Sequence, residues 1–140
     1  MRDFFSSLPS ATTSQTARQR LKRAIISRFA QVWLMLLIAG SLQPGRPGPV
    51  VAMHRGIHFL GCGGATFLLL LLSANLLGEI RAFLAMFLLG LSLEYLQHIM
   101  YHNVMEWWDV RDDAFAILAA WALYRVVWLS GPTAKFFQQT

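Results

Sequence analysis

Acidic and cysteine residues are scarce in this chain, and each shortage narrows the field. Only 7 Asp or Glu occur in 140 residues, and Asp, Glu, Lys and Arg together make up 14%, well below the roughly 25% of an ordinary soluble domain. A single cysteine, Cys62, excludes an internal disulfide and leaves the redox compartment open. No HExxH or comparable tight ligand signature is present, and nothing divides the chain into two cores. Against these shortages stands a hydrophobic fraction of 56%. The balance points to an integral membrane protein built as one bundle. The net charge of +5 does not indicate a nucleic-acid partner: 6 of the 12 Lys and Arg lie in the first 28 residues, the asymmetry of the positive-inside rule. The expected partner is the lipid bilayer.

The order of breaks and apolar runs sets the expected architecture. Residues 1–17 are rich in Ser and Thr, with no sustained apolar period, and read as irregular. From Arg18, RQRLKRAIISRF forms a basic helix of the kind that lies at an anionic membrane surface before turning in. A first span follows, from 24 or 28 to 41, and SLQPGRPGP ends it because proline cannot continue a helix. A second span runs over about 55–77, long enough for the ~30 Å hydrocarbon core. Within it Gly61, Gly64 and Ala65 offer a neighbour close approach. GEIR at 78–81 is too short for anything but a turn to an antiparallel third span at 82–100. A fourth span occupies about 113–129, with Ala116 and Ala120 as another small pair. The fold class is thus all-α: four transmembrane helices in an antiparallel bundle at 24–130, after an N-terminal segment at 1–23 and before a short tail at 131–140. The basic residues place both termini on the cytoplasmic side of the membrane.

Alternating directions bring the start of the second span, the end of the third and the start of the fourth to one face. Five of the seven acids gather there, Glu94, Glu106, Asp109, Asp112 and Asp113, with all four histidines. Ionisable side chains at membrane depth are costly and tend to be functional, so Glu94 is the centre of interest. The candidate polar site comprises Arg55, His58, Glu94, Gln97, Asp109 and Asp113. A metal site would use Glu94, His98 and His102, which follow one another at i, i+4 on one helical stripe. General acid/base chemistry by a buried Glu94 or Asp109 is a second use, and a lock or binding cluster without chemistry is the third and favoured one. Phe59, Phe67, Phe83 and Phe87 read as packing or lipid-facing residues. The cofactor is left open, a bound metal or pigment included.

At these positions the chain resembles the VanZ-like family of bacterial membrane proteins. HRGIHF at 54–59 is similar to the family's basic residue followed by His-Phe, GLSLEYLQ at 90–97 to its Glu-x-x-Gln through Glu94 and Gln97, and EWWDVRDDAF at 106–115 to its aspartate through Asp109. His54, Asn103 and Asp113 stand where the family has an acid, an Arg and an Asn, and Ala116 and Ala120 where it has glycines. The resemblance covers about 50–125. It implies the four-span fold and a non-enzymatic envelope role through a cluster that binds a ligand or partner, with a family link to teicoplanin resistance. The alternatives are an accessory subunit of a respiratory or photosynthetic membrane complex, with other membrane-protein subunits as partners, and an enzyme on a lipid-linked substrate.

Overall fold

The computed structural model describes residues 11–42, 51–102 and 104–130. Outside these lie residues 1–10, most of the Pro/Gly break, Asn103 and the 131–140 tail, as do the side chains of 11–14, 51–55, 57 and 128–130. Four helices make up the fold: α1 (Ala11–Ser41), α2 (Val51–Leu72), α3 (Leu76–Tyr101) and α4 (Trp107–Ser130). The all-α class is as expected, but every helix begins earlier than its apolar run.

The N-terminal helix departs most from expectation. Residues 11–17 are helical, and the basic stretch is continuous with the first span in one helix of 31 residues. No Gly or Pro interrupts 11–39, and Gln, Ala, Arg, Leu and Lys, all good helix formers, dominate its first half. The apolar period is missing there because that half has little to pack against, not because the helix is absent.

The turn between α2 and α3 also moves. Instead of GEIR, residues 73–75 make the connection. Asn75 is extended, with φ −157° and ψ 173°, and its side chain accepts the Gly78 N–H at 2.9 Å, a standard N-cap arrangement. Ser73 donates to the Leu69 carbonyl at 3.1 Å, closing the preceding helix. The unbroken apolar text LLLLLLSANLL hides this boundary, so α2 ends at Leu72 rather than 77 and Glu79 lies inside α3.

Helix α2 is central: it packs against α1, α3 and α4, while α3 also meets α4. Directions follow from the contacts. Gly64 lies against Trp33, whose indole N–H reaches the Gly61 carbonyl at 2.9 Å, and Gly61 meets Leu37 one turn later in α1, so α1 runs antiparallel to α2. A Cβ at Gly64 would sit 3.0 Å from the Trp33 ring, which is why glycine is needed at this crossing. Glu79 meets Arg125 while Gly90 meets Asp113, so α3 and α4 are antiparallel as well. Small residues mediate the remaining contacts: Cys62, Ala65 and Ala116 form one core with Met86 and Ile117, and Ala82 packs with Leu70 and Tyr124 in a second. Of the four phenylalanines, Phe67, Phe83 and Phe87 pack against these cores and Phe59 is exposed.

Two stretches, Gln15–Ser41 and Leu76–Tyr101, are long and apolar enough to cross a membrane; α2 contributes a shorter apolar stretch, His58–Leu72. Beside its apolar cores the bundle also buries charge, while large apolar side chains lie outside. Met35, Leu36, Leu60, Leu84, Leu88 and Val126 are exposed, whereas Thr66, Glu94, Asp109 and Asp113 are buried.

Candidate functional site

The buried acids sit where α2, α3 and α4 come together. Asp113 is the inner member: its Oδ2 lies 2.6 Å from the position a Cβ would take at Gly90, and the Cys62 thiol is its hydrogen-bond partner. The absence of a side chain at Gly90 makes the notch into which this carboxyl fits.

One helical turn moves each helix by four residues, or about 5.4 Å. Because α3 runs against α4, the residue one turn after Gly90, Glu94, comes level with the residue one turn before Asp113, Asp109. Because α2 runs with α4, His58 occupies the same level as Asp109. The site is therefore two stacked layers, Cys62–Gly90–Asp113 inside and His58–Glu94–Asp109 outside. Asp109, Asp113 and Glu106 are electrostatic neighbours of Glu94.

All of these groups are removed from the surface. Glu94 and Asp109 are each 3% exposed, and His58 and Asp113 each 6%. Glu94 Oε1 and Asp113 Oδ1 are fully buried with no hydrogen-bond partner among the described residues. A buried acceptor without a donor costs about 1–3 kcal/mol, more when charged. Two of them in one cluster are a deliberate expense unless something donates to them.

Other sequence candidates fall elsewhere. The Gln97 side-chain amide donates to the Ser41 carbonyl, and the Tyr101 hydroxyl to the Leu42 carbonyl at 2.5 Å. These two residues tie the end of α1 to α3 and satisfy carbonyls that a helix end leaves open. The metal trio does not assemble. Glu94 is buried, His98 and His102 are exposed, and His102 leaves the helix with φ 53° and ψ 26°, which breaks the i, i+4 stripe. Among the described residues no group of three or more His, Cys, Asp or Glu is placed to hold a metal ion. The Arg55 side chain lies outside the described residues.

A second cluster, built on the buried Glu79 at the opposite end of α3 and α4, has no counterpart in the sequence reading. Arg125 donates to Glu79 Oε2 at 2.7 Å, and the Trp121 indole N–H donates to the same oxygen at 3.0 Å. The guanidinium lies over the Trp121 ring at 5.4 Å, a cation–π geometry. Trp121 and Arg125 are one turn apart, and antiparallel α3 delivers Glu79 to that end. The signal was the i, i+4 pair facing an acid in the opposing helix. Cys62 and Gly90 were likewise detectable, Cys62 one turn after His58 and Gly90 one turn before Glu94.

The fold and the site define a class: an α-helical bundle with many exposed apolar side chains and a buried acid cluster near one end, two of whose oxygens have no hydrogen-bond donor among the described residues. Compared with known proteins, the chain matches no family model, no curated protein and no solved structure.

Proposed function

We propose that this chain is a multi-pass, VanZ-like protein of a bacterial inner membrane that acts without catalysis, using the Glu94–Asp109–Asp113 cluster to bind a cationic group of a ligand or partner at the extracytoplasmic face. Membrane residence is supported by the exposed apolar flanks of α1 and α3, an extent of apolar surface that water disfavours. Arg18, Arg20, Lys22 and Arg23 at one end and the acid cluster at the other support the orientation with the termini inside.

The observation that carries the binding role is the pair of buried, unpartnered oxygens on Glu94 and Asp113. Buried carboxyls kept for stability alone are normally neutralised, as Glu79 is. Donors from a cationic group would complete the acid cluster and make charge-assisted bonds.

Purification from native membranes in mild detergent tests the reading. The expected result is a bound cationic ligand or partner that is lost in Glu94→Gln protein of unchanged helicity. Retention of everything bound would remove the role of the cluster, and stoichiometric co-purifying subunits lost with neither Glu94→Gln nor Asp113→Asn would favour an accessory subunit of a larger membrane complex. Reporter fusions after residues 18 and 79 should report the cytoplasm, and a fusion after 103 the opposite side.

A further inference from the structure

Three acids crowd the junction of α2, α3 and α4, but acids alone do not specify a ligand. The free acceptors do. The Cys62 thiol donates to one oxygen of Asp113, and since Oδ1 has no partner among the described residues, that oxygen is Oδ2. Glu94 keeps Oε1 without a donor among the described residues, on a side chain that is 3% exposed. What remains to be met is one oxygen on each of two carboxyls, not two oxygens on one. The two carboxyls belong to successive layers, about 5.4 Å apart along the bundle, and Asp113 is an electrostatic neighbour of Glu94.

This arrangement discriminates among cations. A guanidinium is a planar fork matched to both oxygens of a single carboxylate. A quaternary ammonium has no N–H and is recognised by aromatic faces, and the layers Cys62–Gly90–Asp113 and His58–Glu94–Asp109 contain no Phe, Tyr or Trp. Among the described residues no group of three or more His, Cys, Asp or Glu is placed to hold a metal ion. A primary ammonium carries three N–H donors on one atom. With N–H···O distances of about 2.8 Å, its tetrahedral spread reaches acceptors roughly 4.5 Å apart, close to one layer step. It also sits on a narrow methylene stem, the shape that so enclosed a place admits.

The approach is acidic as well. Glu106 is exposed and precedes Asp109 by three residues, and Asp109 precedes Asp113 by four, so acids follow one another from the loop inward over about 10 Å. Glu106 is a further electrostatic neighbour of Glu94. Arg111, beside them, is engaged by Asp112 at 2.8 Å and by the Trp108 ring at 4.6 Å.

We infer that the cationic group taken by this site is a primary ammonium, held by Glu94 Oε1 and Asp113 Oδ1, with Asp109 adding negative charge beside it. That assignment rests on the binding role proposed above. The ethanolamine headgroup of a lipid and a free amine carry the same group.

Full-length protein in mild detergent near neutral pH is melted with ethanolamine, choline or methylguanidinium as chlorides at matched ionic strength; ethanolamine and choline differ only in whether the nitrogen carries N–H. Ethanolamine should raise the thermal midpoint saturably, with an apparent affinity at least about tenfold above that of the other two, the scale of one charge-assisted hydrogen bond. Glu94→Gln and Asp113→Asn should each weaken it by about tenfold or more at unchanged helicity, while Glu79→Gln, at the other end of α3, should keep it. Phosphatidylethanolamine added to the micelles against phosphatidylcholine identifies the source: a shift at a far lower concentration than ethanolamine needs assigns the ammonium to a lipid headgroup, and a shift with ethanolamine alone to a free amine. A Glu94-dependent shift by choline or methylguanidinium as large as that by ethanolamine would keep a cation-binding cluster and overturn the ammonium. No shift by any cation, lipid included, or shifts that survive in both Glu94→Gln and Asp113→Asn, would overturn the ammonium and the binding role together.

Discussion

The two ends of the α3–α4 pair bury charge in opposite ways. At one end Glu79 accepts from Arg125 and Trp121, so its acid is matched by a cation, an indole N–H and a ring face. At the other, Glu94, Asp109 and Asp113 share one site with Cys62 and His58, and two carboxyl oxygens have no donor among the described residues. The same two helices hold both, so the difference is not one of scaffold quality. A carboxylate paired with a cation locks helix register, even though Arg125 Nε there has no acceptor among the described residues; carboxyls that share one site and leave two oxygens without donors lower stability wherever they are not completed. The proposed function rests on the end that stability alone does not explain.

The largest effect should come from breaking the matched end. Glu79→Ala leaves the Arg125 guanidinium beside apolar helices with no counter-charge. Breaking a fully buried pair costs roughly 3–5 kcal/mol. Because the Arg125 side chain retains 34% exposure, the expected loss is smaller, about 2–3 kcal/mol, read as a lowered thermal midpoint in detergent. The double variant Glu79→Leu/Arg125→Met should recover most of it, and a double variant as unstable as the single would mean the pair is not what holds this end.

A smaller effect sharpens the geometry of the unmatched end. Gly90→Ala places a methyl 2.6 Å from Asp113 Oδ2, and overpacking of this kind costs about 1–3 kcal/mol, offset by about 1 kcal/mol of gained helix propensity. A net loss of about 1 kcal/mol is expected, absent when Asp113 is also shortened to Ala. Next, Gln97→Leu should cost about 1 kcal/mol by removing the donor to the Ser41 carbonyl, without altering anything bound at the acid cluster. An effect of Gln97→Leu on binding would place this residue back in the site, where its Glu-x-x-Gln spacing first put it.

These cases show what was readable in advance. Helix number and the gathering of Glu94, Asp109 and Asp113 followed from apolar run lengths and alternating direction, which one-dimensional text carries well. The Ser73–Asn75 turn did not, because Leu76 and Leu77 continue the hydropathy of α2 across a cap made by one asparagine side chain. Gln97 was placed with Glu94 by proximity in sequence, yet a position three residues on faces about 60° away, toward α1. Glu79 and Arg125 were each counted as terminal charges, since nothing in either segment alone reveals that the other lies opposite.

The comparison is decided most directly by the variant with the smallest expected change in stability. Glu94→Gln keeps the shape of a 3%-exposed side chain while removing one like charge from beside Asp109 and supplying N–H donors to its carboxyl neighbours. Where a carboxyl is matched, the amide is a loss: Glu79→Gln gives up a charge-assisted bond from Arg125, worth roughly 1.5–3 kcal/mol. Where carboxyls crowd each other, the amide relieves repulsion, so Glu94→Gln should unfold within about 1 kcal/mol of the parent and not below it. Parallel thermal melts of Glu79→Gln and Glu94→Gln in the same detergent read the contrast without knowledge of any ligand. Equal losses in the two would mean that Glu94 is held by a donor as Glu79 is, and the acid cluster would then be a second lock rather than a site.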